Sequence, residues 1–159
     1  RHVIKALKLP ATVTVTIESE TADTFAEVDR DQIVQVLNNL VSNAQAAMPE
    51  GGELSVRLTG DDEKITLAVR DTGCGIPEEN RRKIFEPFFT TKKAGSGTGL
   101  GLAVTYGIIK MHRGDIRMES NADPHAGPTG TTFYVTLPRV GRLAEPLVGG
   151  NGWNGAAPA

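Results

Sequence analysis

The sequence predicts an α/β domain with two layers, in which a mixed, mostly antiparallel sheet of about five strands carries about three helices on one face. Two observations lead to this prediction. Short segments in which apolar and polar residues alternate, as in strands, occur in adjacent pairs, and such pairs favour antiparallel pairing. Two longer segments repeat their apolar residues with the helical period. The length of 159 residues is typical of one domain with its own core.

The composition is that of a globular protein. Apolar residues make up 39% of the chain and charged residues 23%, and no run of about 18 apolar residues predicts a membrane-spanning helix. The formal net charge of -2, without a basic cluster, argues against a nucleic-acid surface. The single cysteine, Cys74, cannot form an internal disulfide and favours a reducing, cytoplasmic compartment. We therefore expect this domain to contact neither nucleic acid nor a membrane.

The first part of the chain predicts strands followed by a long helix. Residues 13–17 alternate and indicate a strand, and 25–28 is predicted as a second, short strand. Asp29 has the character of a helix N-cap, with Gln32 three residues later as in a capping box. The helix is predicted to end at about Met48, before a proline and two glycines. Its apolar face is predicted to hold Ile33, Leu37, Leu40, Val41, Ala44 and Met48.

The second part predicts four strands and two helices. The first two strands are separated by a short polar turn and are expected to form an antiparallel hairpin. A short helix is predicted near 77–85. A longer helix is predicted to start near Thr98 and Gly99 and to end with Gly114 in a C-cap position. The core face of this longer helix is predicted to be Leu100, Val104, Ile108 and Met111. The strands are predicted at 54–58, 65–69, 116–120 and 131–137.

The predicted domain occupies residues 12–140. Residues 1–11 show no clear period and are interpreted as a tail or linker. Because the sequence begins with Arg1, the chain is expected to be a fragment of a longer protein. Residues 141–159 are rich in glycine, alanine and proline, a composition that predicts a poorly ordered tail. Trp153 within this tail is interpreted as incidental to function.

Two asparagines on the first long helix are candidate ligands. Asn39 and Asn43 lie four residues apart, so their side chains are neighbours beside the apolar face. An amide oxygen suits Mg²⁺, and an amide can also meet a phosphate oxygen. The alternative is that both are ordinary solvated helix residues.

A glycine-containing turn follows the predicted strand 65–69. Asp71 at its start can accept a hydrogen bond from an exocyclic amine such as that of adenine. Gly73 and Gly75 would let a flat ring approach the backbone closely. The alternative is an ordinary tight turn.

A second glycine-rich segment, 95–101, leads into the second long helix. Glycines before a helix N-terminus expose backbone N–H groups in a positive field, which suits phosphate. The spacing matches neither the P-loop nor the dinucleotide-binding pattern. The alternative is a flexible loop.

An aromatic and basic segment, 85–93, lies between the two glycine elements. Its three phenylalanines can pin the base of a mobile loop, while Lys92 or Lys93 reaches a phosphate. The alternative is a satellite apolar cluster beneath a loop.

Together these segments resemble the N, G1, F and G2 boxes of sensor histidine protein kinases. That family shares the Bergerat-type ATP-binding fold with gyrase, the heat-shock 90 chaperone and mismatch-repair MutL. The segment 130–133 resembles the last strand of that fold, and the resemblance covers residues 12–138 in order. The boxes read Asn39-Leu40-Val41-Ser42-Asn43-Ala44, Asp71-Thr72-Gly73-Cys74-Gly75-Ile76, Phe85-Glu86-Pro87-Phe88-Phe89 and Gly97-Thr98-Gly99-Leu100-Gly101-Leu102.

The resemblance implies a role for individual positions. Asp71 would bind the adenine amine, with Thr131 or Thr132 nearby through water. Asn43 would ligate Mg²⁺, and Asn39 would contact phosphate. Lys92 would contact the nucleotide from the loop before the second long helix. Asn39, Asn43 and Lys92 are the candidate catalytic residues. The remaining candidate ATP contacts are Gly73, Gly75, Ile76, Phe88, Lys92, Gly97, Thr98, Gly99, Leu100, Gly101 and Leu102.

The resemblance also bears on the nucleophile. Water-using ATPases of the wider family carry a glutamate base four residues before the metal-binding asparagine, and here that position is Asn39. An amide cannot take a proton at neutral pH, so hydrolysis should be poor and a neutral imidazole fits better as acceptor. His2, His112 and His125 do not begin the family's histidine motif. The acceptor is therefore expected in an upstream dimerization domain, which makes 1–11 the linker from it.

The implied function is an ATP-dependent protein-histidine kinase domain with ATP and Mg²⁺ as cofactors. Its expected partners are the upstream histidine-containing domain and a response regulator, with a monomeric fragment and a homodimeric parent. The segment 88–92 is most similar to the nitrogen-regulatory and acetoacetate-responsive sensor kinases. A self-sufficient ATPase, an anti-sigma-type serine kinase and a nucleotide-sensing pseudokinase stay as alternatives. Cys74 is interpreted as a small spacer in preference to a redox switch.

Overall fold

In the computed structural model, residues 9–22, 25–92 and 97–139 are described. The predicted tail 141–159, most of the predicted linker, Lys93 and Gly95 lie outside them. The helices are α1 (Arg30–Ala47), α2 (Glu78–Arg81) and α3 (Gly101–Met111), with a 3-10 turn at Pro124–Ala126. The strands are β1 (Val13–Ser19), β2 (Gly52–Gly60), β3 (Lys64–Asp71), β4 (Asp115–Asn121) and β5 (Gly130–Pro138).

The five strands form one sheet in the order β1-β2-β3-β5-β4. β1 runs parallel to β2, and all other neighbours are antiparallel. The predicted hairpin is β2 and β3, with Leu54 opposite Asp71. Because β5 pairs with β3 as well as with β4, Asp71 also lies opposite Thr131. The α/β class and the mixed five-stranded sheet with three helices are thus confirmed.

The hydrophobic core lies between one sheet face and the helices. Alternate residues of the three central strands point into it, as the period of a strand requires. The side chains on the opposite face are polar or only partly buried. The buried core comprises Val13, Val36, Leu40, Val41, Ala44, Met48, Leu54, Val56, Ile65, Val69, Ile84, Ile108, Ile109, Ile116, Phe133, Val135 and Leu137.

The start of α1 is fixed as the sequence predicts. The Asp29 carboxylate accepts hydrogen bonds from the backbone N–H groups of Asp31 and Gln32 at 3.0 and 3.1 Å. The reciprocal half of a capping box is replaced by a tertiary contact, since the Asp29 N–H donates to Nε2 of His112 at 3.0 Å. Nδ1 of His112 lies 2.8 Å from the Ile108 carbonyl oxygen. His112 therefore joins the end of α3 to the start of α1.

Two local predictions are wrong, and the short helix predicted near 77–85 is confirmed but is shorter than that range. Residues 25–28 form no strand; the Phe25 carbonyl oxygen accepts from the Arg139 side chain, and the Glu27 N–H donates to the Arg139 carbonyl oxygen. α2 is a helix only over Glu78–Arg81 and continues as turns. The left-handed residue after α3 is Arg113, with φ of 56°, and not Gly114. Gly114 is needed because a β-carbon there would overlap the Thr136 carbonyl oxygen.

The predicted core face of α3 is confirmed at Ile108 and wrong at its three other positions. Leu100, Val104 and Met111 are 37%, 38% and 68% exposed, whereas Thr105 and Ile109 are fully buried together with Ile108. The helix is apolar on most of its surface, so its periodicity does not distinguish the buried side. It begins at Gly101, later than predicted. Among the described residues, no helix has the length and apolar character needed to cross a bilayer.

Candidate functional site

A cavity of about 200 Å³ lies between α1, the end of β3 and the segment that follows it. We call it the base-side cavity. Apolar side chains form most of its wall, as is usual for a site that holds a flat ring. Its lining comprises Asn43, Ala46, Ala47, Asp71, Cys74, Gly75, Ile76, Pro77, Asn80, Ile84, Phe89, Thr90, Thr91, Lys92, Leu102, Thr131 and Phe133.

Among the described residues that line this cavity, Asp71 carries the only carboxylate. It ends β3, where the strand places its side chain on the core side, and it is only 5% exposed. Its Oδ1 accepts a hydrogen bond from the Gly73 N–H at 2.9 Å. Burial raises the pKa of the Asp71 carboxyl, and hydrogen bonds from the Gly73 and Thr131 backbones oppose that rise. Burial therefore disfavours the charged form of Asp71, while the hydrogen bond from Gly73 holds the carboxylate in position.

The glycines of the turn after Asp71 are required by contacts within the protein. A β-carbon on Gly73 would lie 2.5 Å from the carbonyl oxygen of Ala47 in α1. Gly75 has φ of 73°, and a β-carbon there would overlap the carbonyl oxygen of Asn121. Gly75 lines the base-side cavity and Gly73 does not. Both glycines thus let the turn pass closely between α1 and the end of β4.

A hydroxyl network that the sequence did not predict supports this cavity. Ser120 Oγ lies 2.8 Å from the Ile76 nitrogen and 2.9 Å from both the Gly130 carbonyl oxygen and Thr131 Oγ1. Arg81 donates from Nη2 to the Ser120 carbonyl oxygen at 2.6 Å. It also donates from Nε to the Ile76 carbonyl oxygen at 3.2 Å. The short α2 thereby fixes the turn that carries Ile76 against β4.

A second cavity, of about 260 Å³, adjoins the first. We call it the phosphate-side cavity. The two share Asn43, Ile84, Phe89, Thr90, Lys92 and Leu102, so they form one continuous cleft. The second cavity is lined by Asn39, Ser42, Asn43, Ile84, Phe89, Thr90, Lys92, Gly97, Thr98, Gly99, Gly101 and Leu102.

The two predicted asparagines both face this cleft but differ in their contacts. Nδ2 of Asn39 donates to the Gly101 carbonyl oxygen at 3.1 Å and to Thr105 Oγ1 at 3.3 Å. Asn39 therefore docks the first turn of α3 on α1, and only its Oδ1 is left for a ligand. Asn43 lines both cavities, and no hydrogen bond of its side chain is seen within the described residues. Its amide is thus available at the junction of the two cavities.

The N-terminus of α3 opens on the phosphate-side cavity. Its N-cap residue, Leu100, makes no side-chain cap, so the first-turn N–H groups are available to an anion. The approach to the helix is held by Phe88, whose N–H donates to the Gly99 carbonyl oxygen at 2.9 Å. Gly99 has φ of 68°, and a β-carbon there would lie 2.6 Å from the Phe88 backbone carbon. Lys92 adds a positive charge to this end of the cleft.

Most of the predicted site residues are thus brought together. Four of the predicted site residues that the structure describes line neither cavity, namely Gly73, Phe88, Leu100 and Thr132. Phe88 is 75% exposed. Thr132 follows the buried Thr131 in β5, so the period of the strand turns it to the other sheet face. Thr131 is therefore the threonine of this pair that reaches the cleft.

The donor set suits a magnesium ion bound together with a phosphate ligand. Within the described part of the chain, no group of three or more His, Cys, Asp or Glu side chains is arranged to hold a metal. The Asn43 amide oxygen is a hard ligand at the junction of the two cavities. Magnesium usually keeps several waters and is bound by few protein oxygens plus substrate phosphates. The single Asn43 amide is consistent with a magnesium ion whose other ligands are phosphates and waters, and not with a site built from protein ligands alone.

The sequence matches a known family over the elements that build this cleft. The family described as histidine kinase-, DNA gyrase B- and HSP90-like ATPase matches residues 28–141. The chain belongs to this ATPase family. The matched range includes α1, both glycine elements and β5, which are the parts of the chain that line the cleft.

Known relatives are histidine kinases. Sensor kinase CckA of Brucella abortus (strain 2308) is 42% identical over 129 residues, which is 72% of this chain and 13% of that protein. Sensor histidine kinase WalK of Bacillus subtilis (strain 168) is 40% identical over 122 residues, covering 73% and 19%. The chain thus spans less than a fifth of these two relatives.

A solved structure supports the same assignment. The catalytic domain of histidine kinase ThkA, in a nucleotide-free form, is 36% identical and superposes with a TM-score of 0.70. The match covers 81% of this chain and 82% of that domain. Unlike the two curated proteins, this relative is matched over most of its length, so the ATPase domain has the fold of a histidine kinase catalytic domain.

Proposed function

We propose that this domain passes the γ-phosphoryl group of ATP to a histidine in a helical dimerization domain that precedes it in a two-component sensor kinase. The observation that carries the proposal is the distribution of carboxylates along the cleft. Asp71 lies at the base-side end, and the described lining of the phosphate-side cavity contains no Asp, Glu or His. No side chain in that described lining can take a proton from water.

The nucleophile must therefore be one that needs no deprotonation by this domain. A neutral imidazole nitrogen meets that requirement, and a water molecule or a serine hydroxyl does not. Asn39 occupies the position from which a glutamate base would act, and its Nδ2 is already bonded to α3. The domain then contributes positioning and neutralisation of charge, which is the usual role of protein groups in phosphoryl transfer.

The division of labour follows the geometry of the cleft. Asp71 and Thr131 bind the base edge. The N-terminus of α3 and Lys92 bind phosphates, and Asn43 would hold Mg²⁺. When bound, Mg²⁺ would supply positive charge that offsets the charge of the phosphates. Asn39 acts by holding the first turn of α3 against α1. The domain is proposed to work in the cytoplasm, where ATP is available.

The partners are also part of the proposal. The solved structure of ThkA in complex with response regulator protein TrrA is 34% identical over 80% of this chain and has a TM-score of 0.65. A response regulator is accordingly the proposed final phosphoryl acceptor, and a homodimer is the proposed state of the parent. On the resemblance of segment 88–92, the parent is proposed to be a sensor kinase of the nitrogen-regulatory and acetoacetate-responsive type.

The test combines this chain with its parent's histidine-containing domain and ATP labelled at the γ position. The proposal predicts label on protein that is lost in acid and kept in base. Asn43→Ala should abolish labelling, and Asn38→Ala, on the exposed side of the same helix, should not. Acid-stable, base-labile label would indicate a serine kinase, and release of phosphate without the histidine domain would indicate an ATPase. Either result would contradict the proposal.

A further inference from the structure

Ser120, at the end of β4, makes three hydrogen bonds with one proton. Its Oγ lies 2.8 Å from the Ile76 nitrogen, 2.9 Å from the Gly130 carbonyl oxygen and 2.9 Å from Thr131 Oγ1. The Ile76 N–H can only donate, and the Gly130 carbonyl can only accept. The Ser120 proton must therefore go to Gly130, because two bare oxygens at that distance would repel.

This leaves one arrangement for the Thr131 hydroxyl. With its own proton on Gly130 and one lone pair on Ile76, Ser120 can only accept from Thr131. The Thr131 proton is thus directed at Ser120. Thr131 is 4% exposed and lines the base-side cavity, so its oxygen can meet a ligand there only as an acceptor.

We propose that Ser120 is a positioning residue that holds Thr131 as a hydrogen-bond acceptor, and that it thereby sets the preference of the site for 6-amino over 6-oxo purines. The inference rests on the proposed role of the base-side cavity. Thr131 lies directly opposite Asp71 in the sheet and both residues line the base-side cavity, so in the proposal their two oxygens face the same edge of the base. An amine donates to both, whereas a 6-oxo group would face two acceptors.

Ser120 is needed because a hydroxyl that is not held can change its role. A free Thr131 hydroxyl could rotate and donate to a 6-oxo group, which would remove half of the discrimination. Arg81 holds the backbone around Ser120 in place by donating to the carbonyl oxygens of Ser120 and Ile76. The pairing of Ser120 with Thr131 in the sheet register fixes the distance between the two hydroxyls.

The experiment measures the dissociation constants of ADP and inosine 5′-diphosphate for the wild-type chain and for Ser120→Ala, Thr131→Val and the double variant. We expect Ser120→Ala to lower the preference for ADP about five- to tenfold, the effect of one hydrogen bond. In the Thr131→Val background the same change should leave the preference unaltered, because the hydroxyl through which Ser120 acts is gone. Equal weakening of both nucleotides by Ser120→Ala, or an equal change of preference in both backgrounds, would overturn the proposal.

Two further variants guard against a simple loss of structure. Ser120→Ala removes the hydrogen bonds that the Ser120 hydroxyl makes with the Ile76 N–H and the Gly130 carbonyl oxygen, so folding is checked by circular dichroism. Ser120→Cys keeps the size of the side chain with a weaker acceptor and should lower the preference for ADP, and Ser120→Thr should retain it. Unchanged preference in a folded Ser120→Cys variant overturns the role of Ser120. If Asp71→Asn leaves ADP affinity intact, the base site itself is misplaced and both proposals fail.

Discussion

Replacing Asp71 by asparagine separates the binding role of this carboxylate from its effect on stability. The side chain is 5% exposed and keeps one oxygen on the Gly73 N–H, a contact that an amide oxygen can also make. What is lost is a charged acceptor for the amine of the base. A hydrogen bond to a charged group contributes about 1.5–3 kcal/mol, so ADP should bind roughly 10- to 150-fold more weakly.

The same substitution should stabilise the ligand-free chain at neutral pH. Burial raises the pKa of the Asp71 carboxyl above its ordinary value of 3.8. For such a group the stabilising contribution is present below the unfolded pKa and is lost as pH rises through the folded pKa. Each unit of elevation is equivalent to about 1.4 kcal/mol. Asp71→Asn removes this cost, so its advantage over wild type should vanish as pH falls below 3.8.

The assay is calorimetric titration with ADP, together with thermal unfolding at several pH values from about 3 to 8. Asp61→Asn is the matched control, because Asp61 also accepts a bond from a backbone N–H two residues later but is fully exposed. Backbone bonds from Lys64 and Glu63 lower the pKa of Asp61, so its variant should lose stability at neutral pH. Wild-type ADP affinity in Asp71→Asn would refute the assignment of the base site.

Three other substitutions test the remaining parts of the cleft. Asn43→Ala should remove the gain in ATP affinity that Mg²⁺ provides and change ADP affinity without the metal by less than about twofold, as calorimetry with and without Mg²⁺ will show. Asn39→Asp should lower the free energy of unfolding by about 1–3 kcal/mol, because the Asn39 N–H group that donates to Gly101 and Thr105 in α3 is lost. Asn38→Asp should not have this effect. Gly75→Ala should destabilise the chain by more than 2 kcal/mol in urea unfolding. Gly127→Ala, which shares the positive φ but meets no neighbouring atom within 4 Å, should cost only about 1 kcal/mol.

The sequence predicts the strands and the first helix well where each has one buried side. In β5 buried and partly buried residues alternate along the whole strand, and in α1 the cap and the buried stripe agree. The prediction fails for α3, since apolar residues surround it and packing against α1 selects the side that contains Thr105. It fails at 25–28 because a short alternating run carries no information about a pairing partner.

The site divides in the same way. Asp71, Asn39 and Asn43 are predictable because each stands in a local pattern of residue types. Ser120 and Arg81 are not, since their functions come from contacts with residues distant in the chain. The pairing of β4 with β5 brings those groups together, and no local pattern in the sequence predicts that pairing.

The most direct test of the central claim is a crystal structure of this chain with a non-hydrolysable ATP analogue and Mg²⁺. The account predicts the base amine about 3 Å from an Asp71 carboxylate oxygen, the metal on the Asn43 amide oxygen, and the terminal phosphates at the N-terminus of α3 near Lys92. A nucleotide bound elsewhere, or bound with its phosphates beside Asp71 and its base against α3, would contradict it.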